Sequence, residues 1–284
     1  MGKKQVAIAT DSVANIPVDL IKEYDIKVIP QCLNWVGETY LDGIDITADE
    51  FYQQLGSAKE LPTTSQPSAG EFREFFLEIA EGCESIVCIV VSDHLSGTLD
   101  SANAAVKMIP DFPIEVVDSR SASMGQGFIV LAAANAVSEG KSYTEVAELA
   151  RGLVPNVRAV FVVDTLEFLH RGGRIGGAQR LVGSVLSIKP LLHLVDGKIE
   201  PLASVRTKRK ALDRALDIIA EDAAGKGPLH AAVLHASTPD EAEKFYSTVK
   251  ERLQPAELLL TELTPVIGTH TGPGLVGLAY YNES

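Results

Sequence analysis

Through its first half the chain alternates short apolar runs with stretches of helical periodicity. Val6 to Thr10 is an apolar run that stops at Asp11-Ser12 and predicts a strand, and Pro17 predicts the opening of a short helix. Ile26 to Pro30 resumes an extended pattern. Ser85 to Val91 is continuous and β-branched, which predicts a strand covered on both faces. Ile114 to Asp118 predicts another, followed by a long helical stretch from Ala122 to Ser138. This alternation is the mark of a mainly parallel sheet flanked by helices. Four helix starts carry the capping-box pattern, a hydroxyl three residues ahead of a glutamate: Thr47 and Glu50, Ser68 and Glu71, Ser142 and Glu145, Thr238 and Glu241.

After about Val154 the pattern changes. Val157 to Val163 predicts a strand, and the glycine- and arginine-rich segment Arg171 to Gly177 follows it. Leu191 to Val195 and Lys198 to Val205 are joined by Asp196-Gly197, a pair that favours positive φ and marks a hairpin. A basic helix from Thr207 to Ala224, a strand from Leu229 to His235, another helix and two further strands complete the chain. We therefore expect two domains, an N-terminal α/β domain over 1–155 and a C-terminal α/β domain with a mixed sheet over 156–284. A length of 284 residues favours two domains over one core.

Composition narrows the setting. The longest apolar stretch, Phe128 to Val137, is about half of the ~20 residues that a membrane span needs. The apolar run behind the basic start is too short for a signal-peptide core. A cytoplasmic protein without stable membrane insertion is expected. Three cysteines, Cys32, Cys83 and Cys88, read as reduced thiols, and no His/Cys spacing fits a metal site. The net charge of -13 argues against nucleic acid as a partner. Between Arg151 and Arg214, however, twelve Lys/Arg face five Asp/Glu. Such a basic segment is either an anion site or docking face, or simply a solvated surface; charge alone does not separate them.

Three segments are dense in glycine and small hydroxyl residues: Pro62 to Ser68, Ser96 to Thr98, and Gly268 to Gly274, the last read as a loop between the final two strands. Each alone is explained by capping or a turn. Ser96-Gly97 lies where a strand feeds a helix, a place that gathers backbone N–H groups, and glycine permits close approach of a ligand. The glycine spacing fits neither a P-loop nor a dinucleotide fingerprint, and Ser96 lacks the nucleophile elbow of hydrolases.

Taken in order, Asp11-Ser12, Thr64 to Ser68, Leu95 to Thr98, Arg171 to Ile175, Val205 to Lys208 and His270 to Gly274 make the sequence resemble the DegV family of bacterial fatty-acid-binding proteins. That family includes the acyl carriers of the fatty acid kinase system. The resemblance implies two domains with an acyl chain in a tunnel between or beneath the cleft and its carboxyl group at the cleft. It implies that Thr64 and Ser96 hold the carboxyl group with His270 beside them, and that Arg174 and Arg206 serve the kinase-partner step. Gly97 and Thr63 are further candidates for the carboxylate site, and Arg171 for the phosphate-facing side. The implied ligand is a long-chain fatty acid, with no other cofactor and no metal, and the implied partner is a separate kinase.

Physical chemistry fits that division of labour. A fatty acid needs a long apolar cavity with a few donors at one end, each buried methylene contributing about 0.8 kcal/mol. Hydroxyl donors leave the carboxyl group reactive where a bidentate arginine would occupy its oxygens. The competing readings are a phosphotransferase acting directly on a small substrate, against which stands the missing nucleotide motif, and a DNA-binding protein, against which stands the acidic charge.

Overall fold

The computed structural model describes residues 3–182 and 189–283. In the first half, strands β1 (Ala7–Asp11), β2 (Lys27–Ile29), β6 (Ile86–Val90) and β7 (Ile114–Asp118) pair in the order β2-β1-β6-β7, every pair parallel. All residues of β1 and β6 are buried, because helices cover both faces. The period of two sorts their side chains. Ala7, Ala9, Ile86, Cys88 and Val90 pack with Phe72 and Phe76 of α3 (Ala69–Ala80) and with Ala102 and Ala105 of α4 (Thr98–Val106). Ile8, Val87 and Ile89 face the other way, toward α5 (Met124–Ser138) and α6 (Tyr143–Leu153). Two short helices, α1 (Val18–Glu23) and α2 (Ala48–Leu55), complete this half.

A three-stranded antiparallel sheet, β4-β3-β5, lies outside the alternation read from the sequence. It consists of β3 (Cys32–Trp35), β4 (Glu38–Leu41) and β5 (Thr63–Ser65). Strands of three or four residues show too little periodicity to stand out, and β5 is wholly hydroxylated.

The second half is a six-stranded mixed sheet in the order β10-β9-β8-β13-β11-β12. Its strands are β8 (Arg158–Val162), β9 (Lys189–Val195), β10 (Lys198–Val205), β11 (Leu229–His235), β12 (Glu257–Glu262) and β13 (Val276–Asn282). Only β11 and β12 run parallel; the other neighbours are antiparallel. Asp196 and Gly197 turn β9 into β10 with φ of 47° and 80°, the two positive values that the hairpin required. One sheet face carries α8 (Lys208–Ala223) and α9 (Pro239–Leu253). The other presents Phe161, Leu192, Ala232, Leu234 and Ala279 to a core shared with Ile8, Ile89, Phe128 and Ile129 of the first half. The two sheets are thus joined through one apolar layer. Two short helices border it, α7 (Glu167–Arg171) and α10 (Pro265–Thr271).

Three of the four expected capping boxes form with both reciprocal bonds, at Thr47, Ser68 and Ser142. The fourth does not. Thr238 makes no side-chain capping bond; its hydroxyl donates to the Leu275 carbonyl, and the Glu241 carboxylate is taken by Lys208 Nζ at 2.5 Å. Gly268 to Gly274 is also not simply a loop. Pro265 sits in the first turn of α10, which runs to Thr271, and the irregular segment begins at Gly272 with φ of 70°. The hydroxyls of Thr269 and Thr271 bond back to the Pro265 and Ile267 carbonyls, so the helix uses them internally.

Candidate ligand-binding site

A cavity lies where the inner face of the six-stranded sheet meets the first half. Phe161 of β8, Leu194 of β9 and Leu234 of β11 form one wall. Val13, Val91 and Leu95 of the first half form another, and Leu263, Val266 and Ile267 close it beside α10. The space that the centre of a water molecule can occupy is about 120 Å³. That is several times the roughly 10–15 Å³ that holds one water, so the space is more than a packing defect. Polar lining is confined to a few side chains, chiefly Gln31, Thr64, Gln66, Ser96, Arg174 and His270.

Thr64 reaches the cavity from β5, whose pairing with β3 sets Thr64 opposite Leu33. Its Oγ1 lies 2.7 Å from His270 Nε2, a contact between residues 206 positions apart. Thr63, one step earlier on the strand, is exposed and is not among the residues that line the cavity.

His270 stands near the end of α10. Burial, with a smaller contribution from the Arg174 charge, lowers its pKa to about 4. The imidazole is therefore neutral at pH 7. Its Nδ1 is buried and has no hydrogen-bond partner among the described residues. A buried N–H without an acceptor is costlier than a bare lone pair, which places the proton on Nε2. Nε2–H then donates to Thr64 Oγ1, and the threonine hydroxyl keeps its own proton for the cavity. Gly172 makes room for the ring: a Cβ there would collide with His270 Nδ1.

Ser96 lies in the turn after β6, held by N–H donation from Leu95 and Ser96 to the Ser92 carbonyl. Its Oγ is 2.8 Å from Thr98 Oγ1. Gly97 caps α4 with an ordinary φ of -75°. A Cβ there would come within 2.8 Å of Gln66 Nε2, so a larger residue would displace the Gln66 amide. Gly97 thus accommodates Gln66, itself a lining residue, and does not line the cavity directly.

The three arginines separate. Arg174 lines the cavity, with Nε donating to the Leu95 carbonyl at 3.0 Å and Nη1 to the Gly172 carbonyl at 2.7 Å. It thereby ties the 171–177 segment to the turn that carries Ser96. Arg171 is exposed and paired with Glu167 at 2.9 Å, and Arg206 is exposed just beyond β10. Neither lines the cavity. Thr64, Ser96, His270 and Arg174 are brought together, whereas Thr63, Arg171 and Arg206 stand apart.

Gln31, Gln66 and Thr98 escaped the sequence reading. Gln66 and Thr98 lie inside two of the motif segments, Thr64 to Ser68 and Leu95 to Thr98. Gln31 precedes the unrecognised β3 and had no local signal. Among the described residues, no group of His, Cys, Asp and Glu could hold a metal ion, and no helix is long and apolar enough to cross a membrane.

The family model described as an uncharacterised protein of the DegV family matches residues 5–283. The chain belongs to the DegV family. Solved DegV-family structures share its architecture of an N-terminal parallel sheet with helices and a C-terminal mixed sheet. One, reported as fatty acid binding of a DegV family protein from Thermus thermophilus, is 35% identical with a TM-score of 0.94, over 98% of this chain and 100% of that one. The crystal structure of DegV from Bacillus subtilis, described as a fatty acid binding protein, is 34% identical with a TM-score of 0.90, over 99% and 100%. A stearic acid-binding protein from Eubacterium ventriosum is 27% identical with a TM-score of 0.89, over 99% and 98%. These DegV-fold relatives bind fatty acids.

Proposed function

We propose that this chain binds one long-chain fatty acid in the cavity and presents its carboxyl group to a separate ATP-dependent kinase for acyl phosphate formation. The observation that carries the reading is the cavity's polarity, with apolar walls and a polar cluster of Thr64, Ser96, His270 and Arg174. The tail supplies affinity at about 0.8 kcal/mol per buried methylene, and the cluster supplies orientation. The hydroxyls of Thr64 and Ser96 hold the carboxylate, with neutral His270 fixing the direction of the Thr64 bond. Arg174 lies near enough to steady charge on the head group, while exposed Arg206 and Arg171 face the kinase.

The chain acts as a carrier, without catalysis of its own. His270 contacts the Thr64 hydroxyl, but among the described residues nothing orients its Nδ1, the third member that a nucleophile–base–orienter series needs. Its three cysteines are free thiols, in keeping with action in the cytoplasm. We also place the domain division between residues 155 and 156, supported by the end of α6 at Leu153 and the start of β8 at Arg158.

Mass spectrometry of an organic extract of the purified protein tests the reading, with a fatty acid expected in stoichiometric amount. Ser96→Ala should weaken both acyl binding and acyl phosphate formation by added kinase. If the variant matches the wild type in both assays, the site assignment fails. ATP turnover by the purified chain alone would instead establish a phosphotransferase.

A further inference from the structure

Behind the cavity a line of buried polar side chains runs from the end of β1 to Ser96. Asp11 is 0% exposed, and its carboxylate accepts the Val13 N–H at 2.9 Å, the Val91 N–H at 2.8 Å and Gln126 Nε2 at 3.1 Å. The Gln31 amide lies near enough to stabilise the charged carboxylate weakly, without a direct hydrogen bond to it. Gln31 Nε2 in turn donates to Thr98 Oγ1 at 2.9 Å, and Thr98 Oγ1 is 2.8 Å from Ser96 Oγ. None of these links follows from the cavity's shape.

Their donor and acceptor capacities give the chain one direction. Burial pushes the Asp11 pKa up to about 6, so at pH 7 the group is mainly ionised and only accepts. A nearby negative charge favours the NH2 end of the Gln31 amide over its oxygen on that side, and it is this nitrogen that faces Thr98 Oγ1. Thr98 is 0% exposed, and its hydroxyl has two partners among the described residues, Gln31 and Ser96. Gln31 Nε2 cannot accept, so the Thr98 proton goes to Ser96 Oγ. Ser96 is then left with its own proton to donate, and it lines the cavity.

We propose that Gln31, acting through Thr98, is a positioning residue that makes Ser96 present a proton to the bound head group. The proposal rests on the reading that the ligand's carboxyl group sits at Ser96, and it adds a selectivity. His270 sets Thr64 in the same sense, so two hydroxyl protons are committed before the ligand arrives. A carboxylate accepts both. An alcohol of the same chain length meets the same two protons with one neutral oxygen, a weaker acceptor than a carboxylate, so the orientation favours the charged head group.

The test displaces cis-parinaric acid from the protein with stearic acid and with stearyl alcohol. Gln31→Glu is nearly isosteric and puts an acceptor opposite Thr98. Thr98 then donates to residue 31, and Ser96 turns its proton toward Thr98. Stearic acid affinity is expected to fall about tenfold and stearyl alcohol affinity to stay within about twofold. In a Ser96→Ala background the same change should cost stearic acid nothing further, because the effect acts through Ser96. An equal loss for both ligands, or a loss that persists without the Ser96 hydroxyl, overturns the proposal, the latter being what simple charge repulsion would give. An unchanged stearic acid affinity in Gln31→Glu overturns it too. Should Gln31→Glu unfold, Thr98→Val must weaken stearic acid about threefold and do so only when Ser96 is present. A wild-type protein that binds neither ligand, or a Ser96→Ala variant with full affinity, removes the carboxyl-site reading itself.

Discussion

His270 makes acid sensitivity a direct measure of the site's burial. In the unfolded chain its pKa is the ordinary 6.5, whereas in the fold burial and Arg174 hold it at about 4. Between these values the unfolded chain binds more protons than the native one, so this residue costs stability as pH falls through that window and costs little above it. At pH 4.5 the difference amounts to roughly 2.5 kcal/mol, against about 0.2 kcal/mol at pH 7. His270→Gln keeps a polar side chain beside Thr64 but cannot titrate. Urea unfolding of both proteins at pH 7 and pH 4.5 isolates the effect, because other groups titrate alike in the two and cancel. The wild type should lose roughly 2.5 kcal/mol more than the variant over that interval. An equal loss in both proteins, or a His270 ring that titrates near 6.5 by NMR, would refute the argument that the imidazole is buried and neutral.

Other expectations concern neighbouring features. Gly172→Ala should weaken stearic acid binding at least tenfold (about 1.4 kcal/mol) and also lower the calorimetric Tm, because the added Cβ meets the buried His270 ring and the Phe168 carbonyl oxygen, and displacing them costs about 1–3 kcal/mol. Ser68→Ala should cost about 1 kcal/mol in urea unfolding, whereas Thr238→Ala should cost under about 0.5 kcal/mol, since only Ser68 caps its helix. Arg206→Ala should leave stearic acid affinity within about twofold of wild type in calorimetric titration while slowing acyl phosphate formation by added kinase; the exposed position argues for a partner role worth about 1–2 kcal/mol at most.

Features written over a few neighbouring residues were legible in the chain. The parallel-sheet alternation, the Asp196-Gly197 hairpin and three capping boxes each depend on contacts within one turn or on a local period. Thr238 shows the limit of that logic: the pattern was present, but Lys208, 33 residues earlier, holds Glu241. The resemblance singled out Thr64, Ser96, His270 and Arg174, yet it could not say which of them touch. Thr64 and His270 are 206 residues apart, Arg174 and Leu95 are 79 apart, and Gln31 and Thr98 are 67 apart. Spacing along a chain carries no information about such contacts. They exist because a three-residue strand pairs with β3, α10 packs beside it, and two sheets share one apolar layer. Hydrophobic burial drives that packing without regard to direction, and only the packed geometry selects which hydroxyl meets which imidazole. The elements were therefore readable from local physics, whereas the site is a property of how they close on one another.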